Sequence, residues 1–277
     1  MGRDVTEADE LQPRRSDISP GSQVPCVWLV PLDKLPDSIY RDSQSVLSMD
    51  ERVRAERFRD PMARREFIMG RTLLRGCLAG FGKVTAAELV FDYTAYGKPV
   101  ARHRGHEALP FFNVSHTRGL AACAISPDRP VGVDVEDTGR ESSHDALANS
   151  MFAASERRLV QEASDQATAR DRFFTLWTLK EAYVKAMGQG ISLPLDAFAF
   201  ELLDSGVRAQ FSEQCPDDAA DWRFEIGSPT PHHRLAVALG QGGATSDAAI
   251  RLYWTIPRVR AGGEVQLTRL STEILSP

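Results

Sequence analysis

The chain has 277 residues, 42% of them hydrophobic and 26% charged, with a formal net charge of −5. It is long enough for one large domain or two ordinary ones. The mildly acidic total argues against a nucleic-acid-binding protein, which carries a basic face, and no apolar run reaches the ~20 residues of a membrane span.

Residues 1–24 are rich in Arg, Asp, Ser and Pro, lack the apolar stretch of a signal peptide, and read as a flexible tail. Cys26-Val27-Trp28-Leu29-Val30-Pro31 predicts a first buried strand. Ser48-x-x-Glu51 has the form of a capping box, in which the serine oxygen and the glutamate carboxylate each satisfy an orphan amide. A charged helix is expected from there through Phe58, and Pro61 marks a break. A stronger amphipathic helix is expected over 62–78, with Phe67, Met69, Leu73, Leu74 and Cys77 as its apolar positions. Residues 88–93 predict a strand leading into the Tyr96-Gly97-Lys98-Pro99 turn. Residues 113–126 read as a polar turn plus a strand, paired with 131–136 through Pro127-Asp128-Arg129-Pro130.

Similar elements recur downstream. Helical residues at 155–160 precede a long helix over 170–187, which Gly188 closes as a C-terminal cap. Strands are expected near 198–203, 222–226, 235–239 and 250–256. Ala63-Arg64-Arg65-Glu66-Phe67 and Ala169-Arg170-Asp171-Arg172-Phe173 open the two long helices in comparable ways, a faint sign of two related α+β halves. The polar, Gly-rich loop 241–247 carries no evident chemistry. Cys26, Cys77, Cys123 and Cys215 have no Cys-x-x-Cys spacing and read as free thiols of a cytoplasmic protein.

Two segments carry most of the chemistry. Gly132-Val133-Asp134-Val135-Glu136 reads as a strand with Asp134 and Glu136 on one face and the valines on the other. Trp177-Thr178-Leu179-Lys180-Glu181-Ala182-Tyr183-Val184-Lys185 reads as a helix with Glu181 and Lys185 one turn apart on one face. Brought together, they offer three carboxylates and an ammonium. Three hard oxygen ligands suit Mg²⁺, which keeps several waters and takes substrate phosphate oxygens for the rest. Taken singly, the strand acids read as a solvated face and the Glu–Lys pair as a surface pair contributing about 0.2–0.5 kcal/mol.

The remaining polar groups are less specific. Asn113-Val114-Ser115-His116-Thr117 concentrates hydrogen-bonding side chains, and His116 can carry positive charge toward a phosphate; from spacing alone it is a polar turn. Lys98 sits on a rigid turn. Arg52, Arg54, Arg57, Arg59, Arg64, Arg65, Arg71 and Arg75 make the two early helices basic, most of them expected on solvated faces, with one or two free to bind an anion by their fork geometry. His103-x-x-His106 and His232-His233 lack metal-site spacing, and no Walker loop, dinucleotide fingerprint or nucleophile elbow is present.

Taken together, these segments resemble the 4′-phosphopantetheinyl transferases of the larger, Sfp-like (surfactin-synthetase-activating) type. The resemblance rests on Gly132–Glu136, Trp177–Lys185, Asn113-Val114-Ser115-His116-Thr117, Gly97-Lys98-Pro99 and Gly190-Ile191-Ser192-Leu193-Pro194-Leu195, in the family's order, and spans roughly residues 48–200. It implies an α+β pseudo-dimer of two similar halves, expected at 25–135 and 136–277, with the active site in the cleft between them. The implied reaction moves the phosphopantetheine arm of coenzyme A onto a serine of an apo acyl or peptidyl carrier protein. The implied metal ligands are Asp134, Glu136 and Glu181, for Mg²⁺ or Mn²⁺. Asp134, Glu181 and Lys185 are the implied catalytic groups, with Glu181 or a bound water as base. Arg54, Lys98, Asn113, Ser115, His116 and Lys185 are implied around the coenzyme, with Arg71 a further candidate. Glu51 departs from the Lys that some members carry. A monomer is implied, because one chain forms the whole cleft. A magnesium-dependent hydrolase of the coenzyme A pyrophosphate fits the same carboxylates but lacks the acidic helix motif of such enzymes. A non-catalytic coenzyme-A-binding partner of a synthase has no need of four intact site groups.

Overall fold

The computed structural model describes residues 24–82, 84–102, 109–140, 144–204, 206–241 and 248–275. The tail expected at 1–24, the His103-x-x-His106 pair and the loop at 241–247 lie outside them but for Val24 and Gln241. In chain order the elements are β1 (Cys26–Pro31), α1 (Asp37–Ser43), α2 (Met49–Glu56), α3 (Pro61–Gly82), β2 (Val90–Tyr93), β3 (Pro99–Arg102), β4 (Phe111–Thr117), β5 (Leu120–Ser126), β6 (Val131–Asp137), α4 (His144–Met151), α5 (Ala154–Gln161), α6 (Gln166–Met187), β7 (Phe198–Leu203), β8 (Gly206–Phe211), β9 (Trp222–Thr230), β10 (His233–Gly240), β11 (Ile250–Val259) and β12 (Val265–Leu275). No helix among the described residues is long and apolar enough to cross a membrane.

Local chemistry sets the ends of the helices. Ser48 and Glu51 close both bonds of the capping box at α2. Pro61, expected as a break, opens α3, where its missing N–H removes no helical bond. The first turn of α6 is held by Asp165, whose carboxylate accepts from Thr168 N–H, and its last by Gly188 at φ 71°.

Two sheets form the centre. The first runs β12-β11-β1-β5-β4 and the second β6-β10-β9, with β2–β3 and β7–β8 as separate hairpins. Each sheet carries one long helix. On the first, Met69, Leu73, Leu74 and Cys77 of α3 pack with Trp28, Val30, Cys123 and Ile125. On the second, Phe173, Leu179 and Tyr183 of α6 pack with Phe224, Ala236 and Ala238. The opposite faces of the sheets meet each other through Val27, Leu29, Ala122, Ala124, Val133, Val135, Leu235 and Val237. The layers are therefore helix, sheet, sheet, helix: two similar α+β halves back to back.

Two sequence expectations are corrected. Residues 113–117 are strand, not turn; the turn is Arg118-Gly119, with Gly119 at φ 82°. The strands on either side of residues 127–130 do not form a hairpin. β5 lies between β1 and β4, whereas β6 pairs with β10. The connection carries the chain from one sheet to the other, and Pro130 already belongs to the second, its carbonyl accepting from Gly240 N–H. The division into contiguous halves at 25–135 and 136–277 is not the division of the sheets. β6 belongs wholly to the second, and β11 returns to pair in parallel with β1, bringing β12 with it.

Candidate active site

The site forms where β4, β6 and α6 converge. On β4, Asn113, Ser115 and Thr117 are alternate residues and face β6. Their side-chain oxygens accept the backbone N–H groups of Val133 at 3.1 Å, Val135 at 3.4 Å and Asp137 at 3.1 Å. The polar pattern that reads as a turn is thus one face of a strand, used against a neighbouring backbone. On the other side of β6, α6 approaches so closely at Gly132 that a Cβ there would lie 1.9 Å from the Ala182 carbonyl oxygen. Only glycine permits that crossing, and it brings Lys185 within reach of Asp134.

Asp134 is 3% exposed. Its Oδ1 accepts from Lys185 Nζ at 2.5 Å and from Ser115 Oγ at 2.9 Å, and Lys185 Nζ also reaches Ser115 Oγ at 3.0 Å. Asp134 Oδ2 is buried without a hydrogen-bond partner. Glu136 is held at both oxygens: Trp177 Nε1 donates to Oε1 at 3.1 Å, and Arg140 Nη1 lies 3.4 Å from Oε2. Burial, and then the charge of Asp134, push the Glu136 carboxyl up to about 7. The same two causes raise Glu181. Burial disfavours the Lys185 ammonium, but Asp134 outweighs it and the pKa is raised.

Among the described residues no three His, Cys, Asp or Glu side chains stand together as a ready metal cage, and Glu136 is turned toward Trp177 and Arg140. The donor chemistry nevertheless fits a hard divalent cation. Asp134 presents a free buried oxygen, and its repulsion, which adds to burial in raising Glu136 and Glu181, is what a cation relieves.

Beside these groups lies a cavity of about 610 Å³, bordered by Trp177, Glu181 and Lys185 on α6, by residues 96–99 and by residues 193–196. Lys98 borders it too, but its Nζ donates to the Ala186 carbonyl at 2.8 Å, and burial lowers its pKa. His116 points away from the cavity toward α3, against Gly70 and with Nδ1 3.9 Å from Glu66 Oε2. Burial, then Lys185 and Arg54, push its pKa down to about 4. These causes favour the neutral imidazole. Arg54 is exposed, its guanidinium over the Phe67 ring.

Arg71 is not brought to the cavity. Its Nε is taken by Glu51 at 2.5 Å and its guanidinium lies over Phe91, which leaves Nη2 as a buried nitrogen without a partner. Arg75 binds the other oxygen of Glu51. Glu51, unusual where a Lys is also found, is the counter-ion of two buried arginines. Gly132, Trp177, Thr117 and Arg140 are the contributors that motif reading missed. Trp177 had a usable signal, since it precedes Glu181 by one helical turn and shares its face.

Residues 130–239 match the model of the 4′-phosphopantetheinyl transferase superfamily, and residues 37–128 that of the 4′-phosphopantetheinyl transferase N-terminal region. The two matches meet at the connection between the sheets. Over 166 residues the chain is 40% identical to the 4′-phosphopantetheinyl transferase HetI of Nostoc sp., covering 60% of this chain and 69% of that protein. It is 30% identical over 231 residues to the 4′-phosphopantetheinyl transferase psf-1 of Bacillus pumilus, covering 81% and 94%. To the 4′-phosphopantetheinyl transferase Sfp of Bacillus subtilis it is 29% identical over 196 residues, covering 70% and 82%. With these two matches in succession and a relative 30% identical across most of both chains, the chain belongs to the 4′-phosphopantetheinyl transferase superfamily, as a transferase of the Sfp-like type.

Proposed function

We propose that this protein transfers the 4′-phosphopantetheine arm of coenzyme A to a serine hydroxyl of an apo acyl or peptidyl carrier protein, releasing adenosine 3′,5′-bisphosphate. The observation that carries the reading is the pairing of buried Asp134, its Oδ2 free, with Lys185, which borders the cavity together with Glu181. Asp134, Glu136 and Glu181 would hold Mg²⁺, or Mn²⁺, which when bound supplies Lewis-acid polarisation of the pyrophosphate.

The chain's own residues do the rest by positioning and charge. The serine oxygen forms a bond to the β-phosphorus as the bond from that phosphorus to the bridging oxygen breaks. The serine proton passes to Glu181 or to a water that Glu181 holds, and burial has already moved Glu181 toward the range useful for a base. Lys185 neutralises charge developing on the phosphates. Arg54 offers a permanent charge to the coenzyme. Lys98 reaches a phosphate by exchanging its bond to Ala186. Ser115 orders Asp134 and Lys185 together. Both walls of the cleft come from one chain, which supports action as a monomer, and four free thiols support a reducing, cytoplasmic setting.

Intact mass of an apo carrier protein incubated with this protein, coenzyme A and Mg²⁺ tests the reading. The expected result is a gain of one phosphopantetheine, lost with EDTA or when the carrier serine is replaced. No gain across several carriers overturns it, and release of adenosine bisphosphate without carrier would identify a hydrolase.

A further inference from the structure

β6 is an edge strand: β10 pairs with it on one side, and among the described residues no strand pairs on the other. In such a strand every second N–H points outward with no ladder to receive it. Here the outward groups of Val133, Val135 and Asp137 are received by side chains of β4 at the same two-residue spacing, each pair 20 positions apart. The two halves are joined along this line by a ladder whose rungs are side chain to backbone.

Resting on the function proposed above, we infer that Thr117 is a positioning residue of the transfer reaction, acting through the β6 backbone on Asp134 and Glu136 rather than binding coenzyme phosphates; Asn113 supplies the first rung but also borders the cavity. The amides of Val133 and Val135 flank Asp134; those of Val135 and Asp137 flank Glu136. Each carboxylate of β6 is thereby bracketed by two anchored peptides. Ser115 supplies the middle rung and also contacts Asp134 and Lys185 directly, so its two roles cannot be separated by substitution. Thr117 holds β6 through Asp137 N–H and does not line the cavity. A backbone ladder offers no side chain to remove; this one can be cut a rung at a time. A shift of β6 by a fraction of an ångström moves Asp134 against Lys185, and misplacement by about 1 Å costs on the order of 100-fold in rate.

The first measurement is amide hydrogen exchange on the wild-type protein. The Val133, Val135 and Asp137 amides are expected to exchange as slowly as those of the central strand β10; exchange at the rate of a free edge overturns the ladder. The second compares Thr117→Val, which keeps the shape and loses the acceptor, with Thr117→Ser, which keeps the acceptor. Thr117→Val is expected to lower kcat about tenfold and to weaken calorimetric Mg²⁺ binding several-fold. Coenzyme A affinity measured without metal is expected to stay within about twofold, and Thr117→Ser to restore both losses. Weakened coenzyme binding with unchanged Mg²⁺ binding would make Thr117 a phosphate-site residue. A lower melting temperature with unchanged constants for the folded fraction would make it merely structural. Either result overturns the inference. A wild type that neither binds Mg²⁺ nor transfers overturns the proposed function, and with it the role, whatever the amides show.

Discussion

Glu181 and His116 hold their protonation states against different costs. Glu181 is half-buried, and burial together with Asp134 raises its carboxyl. Its ionised form therefore destabilises the fold at neutral pH, where the proposed transfer would need it. Glu181→Gln is expected to raise the melting temperature measured without divalent cation. The same change should lower kcat by about 100-fold or more, the usual loss of a general base; a stable variant with near-normal kcat would remove Glu181 from the chemistry. His116 is the opposite case. Its pKa of about 4 lies below the ordinary 6.5, so between those values the unfolded chain binds a proton that the folded one rejects. Stability from this group is complete above pH 6.5 and lost as pH falls through 4. Urea midpoints across pH 4–7 check this. The wild type is expected to lose stability with acid faster than His116→Gln, the two curves converging in slope above pH 6.5.

Among the elements, α6 does two jobs on two faces. Glu181 and Lys185 face the cavity, while Lys180 is buried on the other side with 0% exposure, as is its partner Glu156. Lys180 Nζ donates to Leu195 O and Phe198 O, both at 2.6 Å, and pairs with Glu156 at 2.8 Å. Glu156 in turn receives the N–H groups of Ala153 and Phe200. The pair ties α5, α6 and the start of β7 to Leu195, part of the cavity wall. Lys180→Met leaves a buried carboxylate unpaired and is expected to cost about 3–5 kcal/mol in urea unfolding, whereas Lys180→Met with Glu156→Leu should cost far less than the two single changes summed. Helices of this kind were legible because their signals are local: a capping box at Ser48, a glycine cap at Gly188, and Glu181 and Lys185 one turn apart. The sheets were not. β1, β5 and β10 are apolar on both faces, since one face meets a helix and the other the second sheet. Such strands lack the alternation that marks an inward side, so nothing local tells β5 from β6 as a partner. The same limit hid Arg71 and Arg75. Charged residues on a basic helix read as solvated, and only the fold shows both closing on Glu51.

At the scale of the molecule, the two halves are alike in layers but unequal in independence. Residues 37–128 supply α1 through β5, yet the sheet they belong to is finished by β11 and β12 from the far end of the sequence. Without them β1 has an open edge, and α3 loses Tyr253, Ile256 and Leu267 from the cluster that covers it. Gly76 of α3 sits so near β12 that a Cβ would lie 2.7 Å from Val265, which marks this as a packed interface rather than a loose flap. The second half has its own helix and sheet, but β6 loses its outer partners when β4 is absent, and the valines between the sheets lose their cover. A chain cut at the crossover should therefore give no folded piece by itself. Fragments 24–128 and 129–277, expressed separately, are expected to show no cooperative thermal transition. Mixed, they should recover one transition and the native near-ultraviolet signal, because the parallel β1–β11 pairing, the ladder between β4 and β6 and the inter-sheet core form in one step. A folded 129–277 fragment with its own sharp transition would show instead that the second half is an autonomous domain, with β11 and β12 as a docked extension.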